Sequence, residues 1–222
     1  MHPLTAAAAL LTPAAGLYAA SWIAEVRGLH DWLVPGAMWR TTHRHIVLSF
    51  DDGPDPERTP RLLDVLAAAE VKAVFFVIGK RVAKHPAIVR RMATDGHQIG
   101  NHSWSHRWLP GVSAHTLAQQ IDRCQRAVED VTGTAPLLAR PPYGMRDFRY
   151  YRALAERGMT PVLWSRNLRD YHRAGVGTLL RRLSRAQPGE IVLCHDGDPL
   201  APHTVNAVEQ WLDNKPPPIG LI

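Results

Sequence analysis

Ile46-Val47-Leu48-Ser49-Phe50-Asp51-Asp52-Gly53-Pro54 is the stretch from which the fold is read. An apolar run broken by one serine stops at two adjacent carboxylates and a Gly-Pro turn, as a buried strand ending in a loop does. A helix pattern follows: Thr59-Pro60 reads as an N-cap and first-turn proline ahead of Leu62, Leu63 and Leu66. A second apolar run occupies residues 73–78. Further strand candidates lie at 98–99, 137–139, 161–164 and 191–194, with a weak one at 219–222. The clearest helix opens at Ser113, carries Leu117, Ile121, Cys124, Val128 and Val131 at three-and-four spacing, and ends at Gly133. Strands alternating with helices indicate βα units around a mainly parallel sheet, so the fold class is α/β. Pro216, Pro217 and Pro218 form a stiff connector before the terminus.

The chain has 222 residues, enough for one sizeable core, and its 45% hydrophobic and 21% charged composition is that of a folded protein rather than a disordered one. The net charge is +6, but the arginines are scattered, with nothing longer than pairs such as Arg90-Arg91 and Arg181-Arg182. They read as a solvated face, and without a nucleic-acid motif or aromatic-basic repeat no nucleic-acid partner is expected. Cys124 and Cys194 have no metal-type spacing and read as two buried small hydrophobes.

Residues 3–24 carry no charge and are rich in Ala and Leu. The length just suffices to span a bilayer, although Pro13, Gly16 and the many alanines weaken it, and no Lys or Arg precedes it as in a signal peptide. A membrane anchor or surface helix and a helix packed on the catalytic domain stand as equal alternatives. Trp22, Trp32 and Trp39 suit an interface belt or a core equally well. The expected organisation is a hydrophobic segment at 1–40 and one catalytic domain at 41–222.

Unusual polar residues fall where strands end: Asp51 and Asp52, His102 and His106, Arg140, then His195 and Asp196. In barrel enzymes the loops at the C-terminal strand ends converge on one mouth. Adjacent carboxylates repel unless a cation intervenes, while Asp-Gly-Pro is also ordinary turn chemistry. His102 and His106, at i and i+4, would meet one ion from a single helical turn, although among twelve histidines such a pair also arises by chance. With Asp52 they make three ligands, the pattern of a catalytic zinc that leaves a position for water.

Taken together these motifs resemble the polysaccharide deacetylase family, the NodB-homology domain of carbohydrate esterase family four, over residues 46–211. The five motifs stand in order as Ser49-Phe50-Asp51-Asp52-Gly53-Pro54, Gly100-Asn101-His102-Ser103-Trp104-Ser105-His106, Arg140-Pro141-Pro142-Tyr143-Gly144, Trp164 through Arg169-Asp170-Tyr171, and Ile191-Val192-Leu193-Cys194-His195-Asp196. The resemblance implies a distorted (β/α)7 TIM-like barrel. It also implies that metal-activated water attacks an acetamide carbonyl. Asp52, His102 and His106 would hold the divalent metal, zinc by default with cobalt or nickel as alternatives. Asp51 would be the base, oriented by Arg140; the backbone N–H of Tyr143 would bind the oxyanion. His195 would be the general acid, its pKa raised by Asp170. Leu193, Trp164, Tyr171 and Pro142 would wall the substrate pocket.

The substrate so implied is an N-acetylglucosamine-containing chitooligosaccharide or peptidoglycan, acted on by a monomer at the bacterial cell envelope or a membrane, with the cytoplasm as the alternative. Competing readings are an O-deacetylase of xylan-like esters, another amidohydrolase on the same scaffold, and an inactive sugar-binding member. Ser49 in place of threonine is a mild departure; Tyr171 in place of tryptophan alters the pocket wall. Ser165 and Asn167 replace acidic residues, leaving Asp170 as the carboxylate of the fourth motif. The short, proline-rich end leaves closure of the last βα unit open.

Overall fold

The computed structural model describes residues 36–145 and 147–222; the expectations for residues 3–24 lie outside the described residues. The strands are β1 Val47–Asp51, β2 Val74–Val77, β3 Gln98–Asn101, β4 Leu138–Ala139, β5 Thr160–Pro161, β6 Arg166–Asn167 and β7 Ile191–His195. They form one parallel sheet in the order β5-β4-β3-β2-β1-β7-β6, an open barrel with β1 near its centre. The segment after Gly36 also hydrogen-bonds to it: Met38 N–H donates to Pro161 O, and Thr41 N–H to Gly189 O.

Strand alternation sorts β1 into two faces. Ile46, Leu48 and Phe50 pack outward against a layer that includes Leu62, Leu63 and Leu66 of helix α1, Arg58–Ala68. Each of these leucines is fully buried, contributing about 1.5–3 kcal/mol. Val47 points inward with Val74, Phe76, Val162 and Ile191. The same alternation turns Ser49 and Asp51 inward, so the polar residues of β1 share the barrel interior. The parallel register sets Asp51 opposite His195 on one side and Phe76 on the other.

The other α-helices among the described residues are α2 Gly79–Lys84, α3 Pro86–Thr94, α4 Ala114–Thr132, α5 Phe148–Ala155, α6 Val176–Leu183 and α7 Thr204–Asp213. Helix α4 matches its sequence pattern: Ser113 accepts from Thr116 N–H at one end, and Gly133 closes the other with a left-handed φ of 75°. Cys124 and Cys194 are buried; burial pushes the Cys124 thiol up to about 12 and Cys194 well above its ordinary value, leaving both inert.

Three expectations are corrected. Helix α1 starts at Arg58, so Thr59 and Pro60 lie inside its first turn; Asp55 accepts from the N–H groups of Glu57 and Arg58, while the Thr59 hydroxyl is drawn to Asp196. The strand expected at 161–164 is the two-residue β5, and β6 went unforeseen because its residues are polar and only two long. Residues 219–222 form no strand, only a bridge from Ile219 to Ile46. The last unit nevertheless closes: α7 buries Val205, Val208, Trp211 and Leu212, and the Ile222 backbone exchanges two hydrogen bonds with the Gln98 amide. No helix among the described residues is long and apolar enough to cross a membrane.

Gly100 shows how tightly this interior is filled. A Cβ there would meet two carbons of the Phe76 ring at 2.5 Å, and that ring lies 4.0 Å beneath the Arg140 guanidinium. Gly100→Ala should therefore destabilise the fold by about 1–3 kcal/mol. Urea denaturation checks this; an unchanged midpoint would show that the interior has slack.

Candidate metal centre

Arg140, at the C-terminal end of β4, is fully buried, and each of its three guanidinium nitrogens has a partner. Nη1 donates to Asp51 Oδ1 at 2.7 Å and to Ser49 Oγ at 3.0 Å; Nε donates to Val162 O, and Nη2 to Leu163 O. Burial pulls its pKa below the ordinary arginine value while Asp51 opposes the shift. The backbone of the same residue holds a histidine: His102 Nδ1, as the N–H tautomer, donates to Arg140 O at 2.8 Å. That leaves His102 Nε2 facing the mouth, 3.6 Å from Asp51 Oδ2 and 3.5 Å from Asp52 Oδ1; burial lowers its pKa, but Asp51 and Asp52 outweigh this and raise it.

Asp52 is turned away from Asp51 by a left-handed backbone, φ 73°. Its Oδ1 lies 3.1 Å from His106 Nε2, yet this buried oxygen makes no hydrogen bond of good geometry. Burial raises the Asp52 pKa, but His102, then His106 and His195, outweigh it and hold the carboxyl well below the usual range. Burial, assisted by the charge of His102, lowers His106 to about 4 and keeps it neutral. One ligand atom from each of Asp52, His102 and His106 lies within 4.8 Å of the others. Two ligands on a tetrahedral zinc stand about 3.3 Å apart, given metal–ligand distances near 2.0–2.1 Å. An orphaned carboxylate oxygen at 3.1 and 3.5 Å from two imidazole nitrogens fits such an ion.

The histidines are not brought together by a helical turn, as expected from their spacing. Residues 102–106 form a loop in which Ser103 and His106 have left-handed φ values of 66° and 51°. Local bonds outcompete the helix: Ser103 N–H donates to Asn101 Oδ1, and His106 N–H to Ser103 Oγ.

On the opposite side, at the end of β7, His195 Nδ1 donates to Asp170 Oδ1 at 2.8 Å, and the His195 N–H reaches Asp170 Oδ2 at 2.8 Å. Burial lowers the His195 pKa, but its Asp170 hydrogen bond and charge, with Asp51 and Asp52, raise it to about 9. Thr204 Oγ also donates to Asp170 Oδ2, at 2.6 Å. Thr204 and Ser49 are polar positions in this frame to which the sequence assigned no role. Asp196 is another: buried, reached by the Thr59 hydroxyl, and raised to about 7 by burial and the Asp52 charge.

The other expected residues lie around the same strand ends. Tyr143 sits in the turn Pro142–Gly144 with φ 59°, its ring exposed and its hydroxyl donating to His106 O. Pro142, the first residue of that turn, is buried. The Trp164 ring covers Gly144, where a Cβ would meet it at 2.4 Å, and lies 5.7 Å from the Arg140 guanidinium. Tyr171 stands edge-on to the His195 ring at 5.3 Å, its hydroxyl accepting from Asn167. Leu193 is buried on β7, two residues before His195.

The sequence profile of the family described as "Polysaccharide deacetylase" matches residues 39–162. The peptidoglycan-N-acetylglucosamine deacetylase PgdA of Listeria monocytogenes is 39% identical over 164 residues, 73% of this chain and 34% of that protein, so the chain spans about a third of that relative. A chitooligosaccharide deacetylase of Rhizobium leguminosarum bv. trifolii is 38% identical, covering 70% of this chain and 73% of that one. Among solved structures, the Bc1960 peptidoglycan N-acetylglucosamine deacetylase, in complex with 4-naphthalen-1-yl-N-oxidanyl-benzamide, superposes with a TM-score of 0.79 at 30% identity, over 85% of this chain and 92% of that one.

The His195–Asp170 pair gives a direct titration prediction. In the metal-free chain, NMR should show His195 losing its proton near pH 9. In Asp170→Asn, burial acts without the compensating charge, and the midpoint should drop toward or below the ordinary 6.5. Because the folded value is the raised one, the pair's contribution to stability is complete below pH 6.5 and is lost as pH climbs through about 9. A wild-type midpoint unaffected by the substitution would contradict the pairing.

Proposed function

Because this chain belongs to the polysaccharide deacetylase family, we propose that it removes N-acetyl groups from N-acetylglucosamine-containing oligo- or polysaccharides of the chitooligosaccharide or peptidoglycan type. One observation carries the reading: a carboxylate fixed by a buried arginine and an imidazole kept protonated by Asp170 flank the Asp52-His102-His106 set at one mouth. Members of the family are metal-dependent. Held by those three ligands, a divalent ion, zinc by its liking for such nitrogen-oxygen sets and cobalt or nickel next, supplies Lewis-acid activation of water and carbonyl.

The protein's own groups then divide the proton work. Arg140 immobilises Asp51 Oδ1, so Oδ2 is the oxygen that accepts a proton as water adds to the acetamide carbon. The Tyr143 backbone N–H donates to the oxyanion that develops. When the carbon–nitrogen bond breaks, His195 Nε2 gives its proton to the departing nitrogen, so acetate and a free amine leave rather than an amide anion. Asp170 keeps that proton in place at neutral pH. Trp164, Tyr171, Leu193 and Pro142 enclose the acetyl group.

Acetate release from N-acetylglucosamine oligomers tests the reading. Activity should vanish with chelator, and Asp51→Asn should lower kcat by roughly 10²–10⁴-fold without unfolding the chain. His195→Ala should slow amide cleavage more than cleavage of a matched acetate ester, whose leaving group needs less protonation. Full activity in Asp51→Asn would sink the mechanism.

A further inference from the structure

Asp52 meets the two imidazoles only because its backbone leaves the strand in a left-handed turn, φ 73°. Continued as a strand, residue 52 would share the face of Leu48 and Phe50 and point into the outer apolar layer. A left-handed aspartate is uncommon and persists where its neighbours leave no alternative. Here those neighbours come from the loop after His195. The N–H groups of Asp196 and Gly197 both donate to Asp51 O, at 3.2 and 3.3 Å. A Cβ on Gly197 would meet Asp52 O at 2.1 Å, so the Asp52 carbonyl rests against Gly197. The Asp196 carboxylate lies against the next residue: a Cβ on Gly53 would meet its two oxygens at 2.3 and 2.6 Å.

Thr59 in turn fixes that carboxylate. Both side chains are buried. The Thr59 hydroxyl donates to Asp196 Oδ2 and accepts from Asp55 N–H at 2.8 Å. It therefore ties down both ends of the turn, Asp55 directly and Gly53 through Asp196. Arg58 and Arg81 each donate to Gly197 O, at 3.1 and 2.8 Å, securing the same loop from the other side. Neither Thr59 nor Asp196 hydrogen-bonds to the side chain of Asp52, His102 or His106, so their influence on an ion passes through the backbone of the turn.

We infer that Thr59 and Asp196 are positioning residues for the metal: they hold the Asp52–Gly53 turn in the conformation that aims the Asp52 carboxylate at the ion, and so set the affinity for it. The inference rests on the metal set of the deacetylase reading and goes beyond it, giving two residues with no step in the reaction a share in ion binding.

The test is the zinc affinity of the full chain, measured by competition with a chromophoric chelator, beside thermal unfolding of the zinc-free chain. Thr59→Val keeps the shape and removes the hydroxyl. At a temperature where the variant is fully folded it should bind zinc about tenfold more weakly, whereas Thr59→Ser, which keeps the hydroxyl, should restore most of the affinity. Gly53→Ala presses a methyl on the same carboxylate from the turn side; it should weaken zinc binding too, and it decides the question should Thr59→Val fail to fold. A purely structural contact would lower the unfolding temperature and leave the zinc affinity of the folded chain unchanged. That result, or equal losses in Thr59→Val and Thr59→Ser, would overturn the inference. Zinc binding by the parent chain that neither Thr59→Val nor Gly53→Ala weakens removes the positioning role and leaves the deacetylase reading standing; a parent chain that binds no zinc removes both.

Discussion

A buried guanidinium cannot be left without partners, since removing one member of a buried ion pair costs about 3–5 kcal/mol. Arg140 meets that demand with Asp51, the Ser49 hydroxyl and two carbonyls beyond β5, over the face of Phe76. The set of partners fixes much else. It pins one oxygen of Asp51 and leaves the other toward the mouth. Its own carbonyl fixes the His102 tautomer, as an outer hydrogen bond does for a metal-binding imidazole. It also explains why position 49 carries a hydroxyl: Ser49 accepts from Arg140 and donates to Val192 O, tying β1 to β7 from the inside.

Around this frame the loops hold uncommon backbone conformations. Asp52, Ser103, His106, Tyr143 and Arg169 all have left-handed φ values without being glycine. Each such residue costs on the order of 1–3 kcal/mol and persists only where its surroundings over-determine it. Here the parallel sheet provides the determination, because every strand delivers its loop to the same edge. Strain at Asp52 separates the two adjacent carboxylates, so that one faces Arg140 and the other the two imidazoles.

The parallel sheet and its strand-end polar residues were legible because they follow from local patterns, apolar runs and turn residues; the grouping of Asp52, His102 and His106 was legible only through the resemblance carried by the order of the five motifs. What was not legible depends on partners far apart in the chain. The Thr59 hydroxyl goes to Asp196, 137 residues away, rather than capping its own helix. Ser49 meets Arg140 across 91 residues, and Thr204 supports Asp170 across 34. No periodicity encodes such pairs. The His102–His106 spacing suggested a helical turn for a related reason: it fits one geometrically, and only the side chains of Asn101 and Ser103 reveal the loop that replaces it.

The division of labour between two neighbouring carboxylates is the core of this account, and zinc titration by calorimetry on the purified chain examines it most directly. Wild type and Asp51→Asn should each bind one equivalent, while Asp52→Asn should lose stoichiometric binding. Equal binding by Asp52→Asn, or loss of the site in Asp51→Asn alone, would contradict the assignment of Asp52 to the ion and Asp51 to the proton.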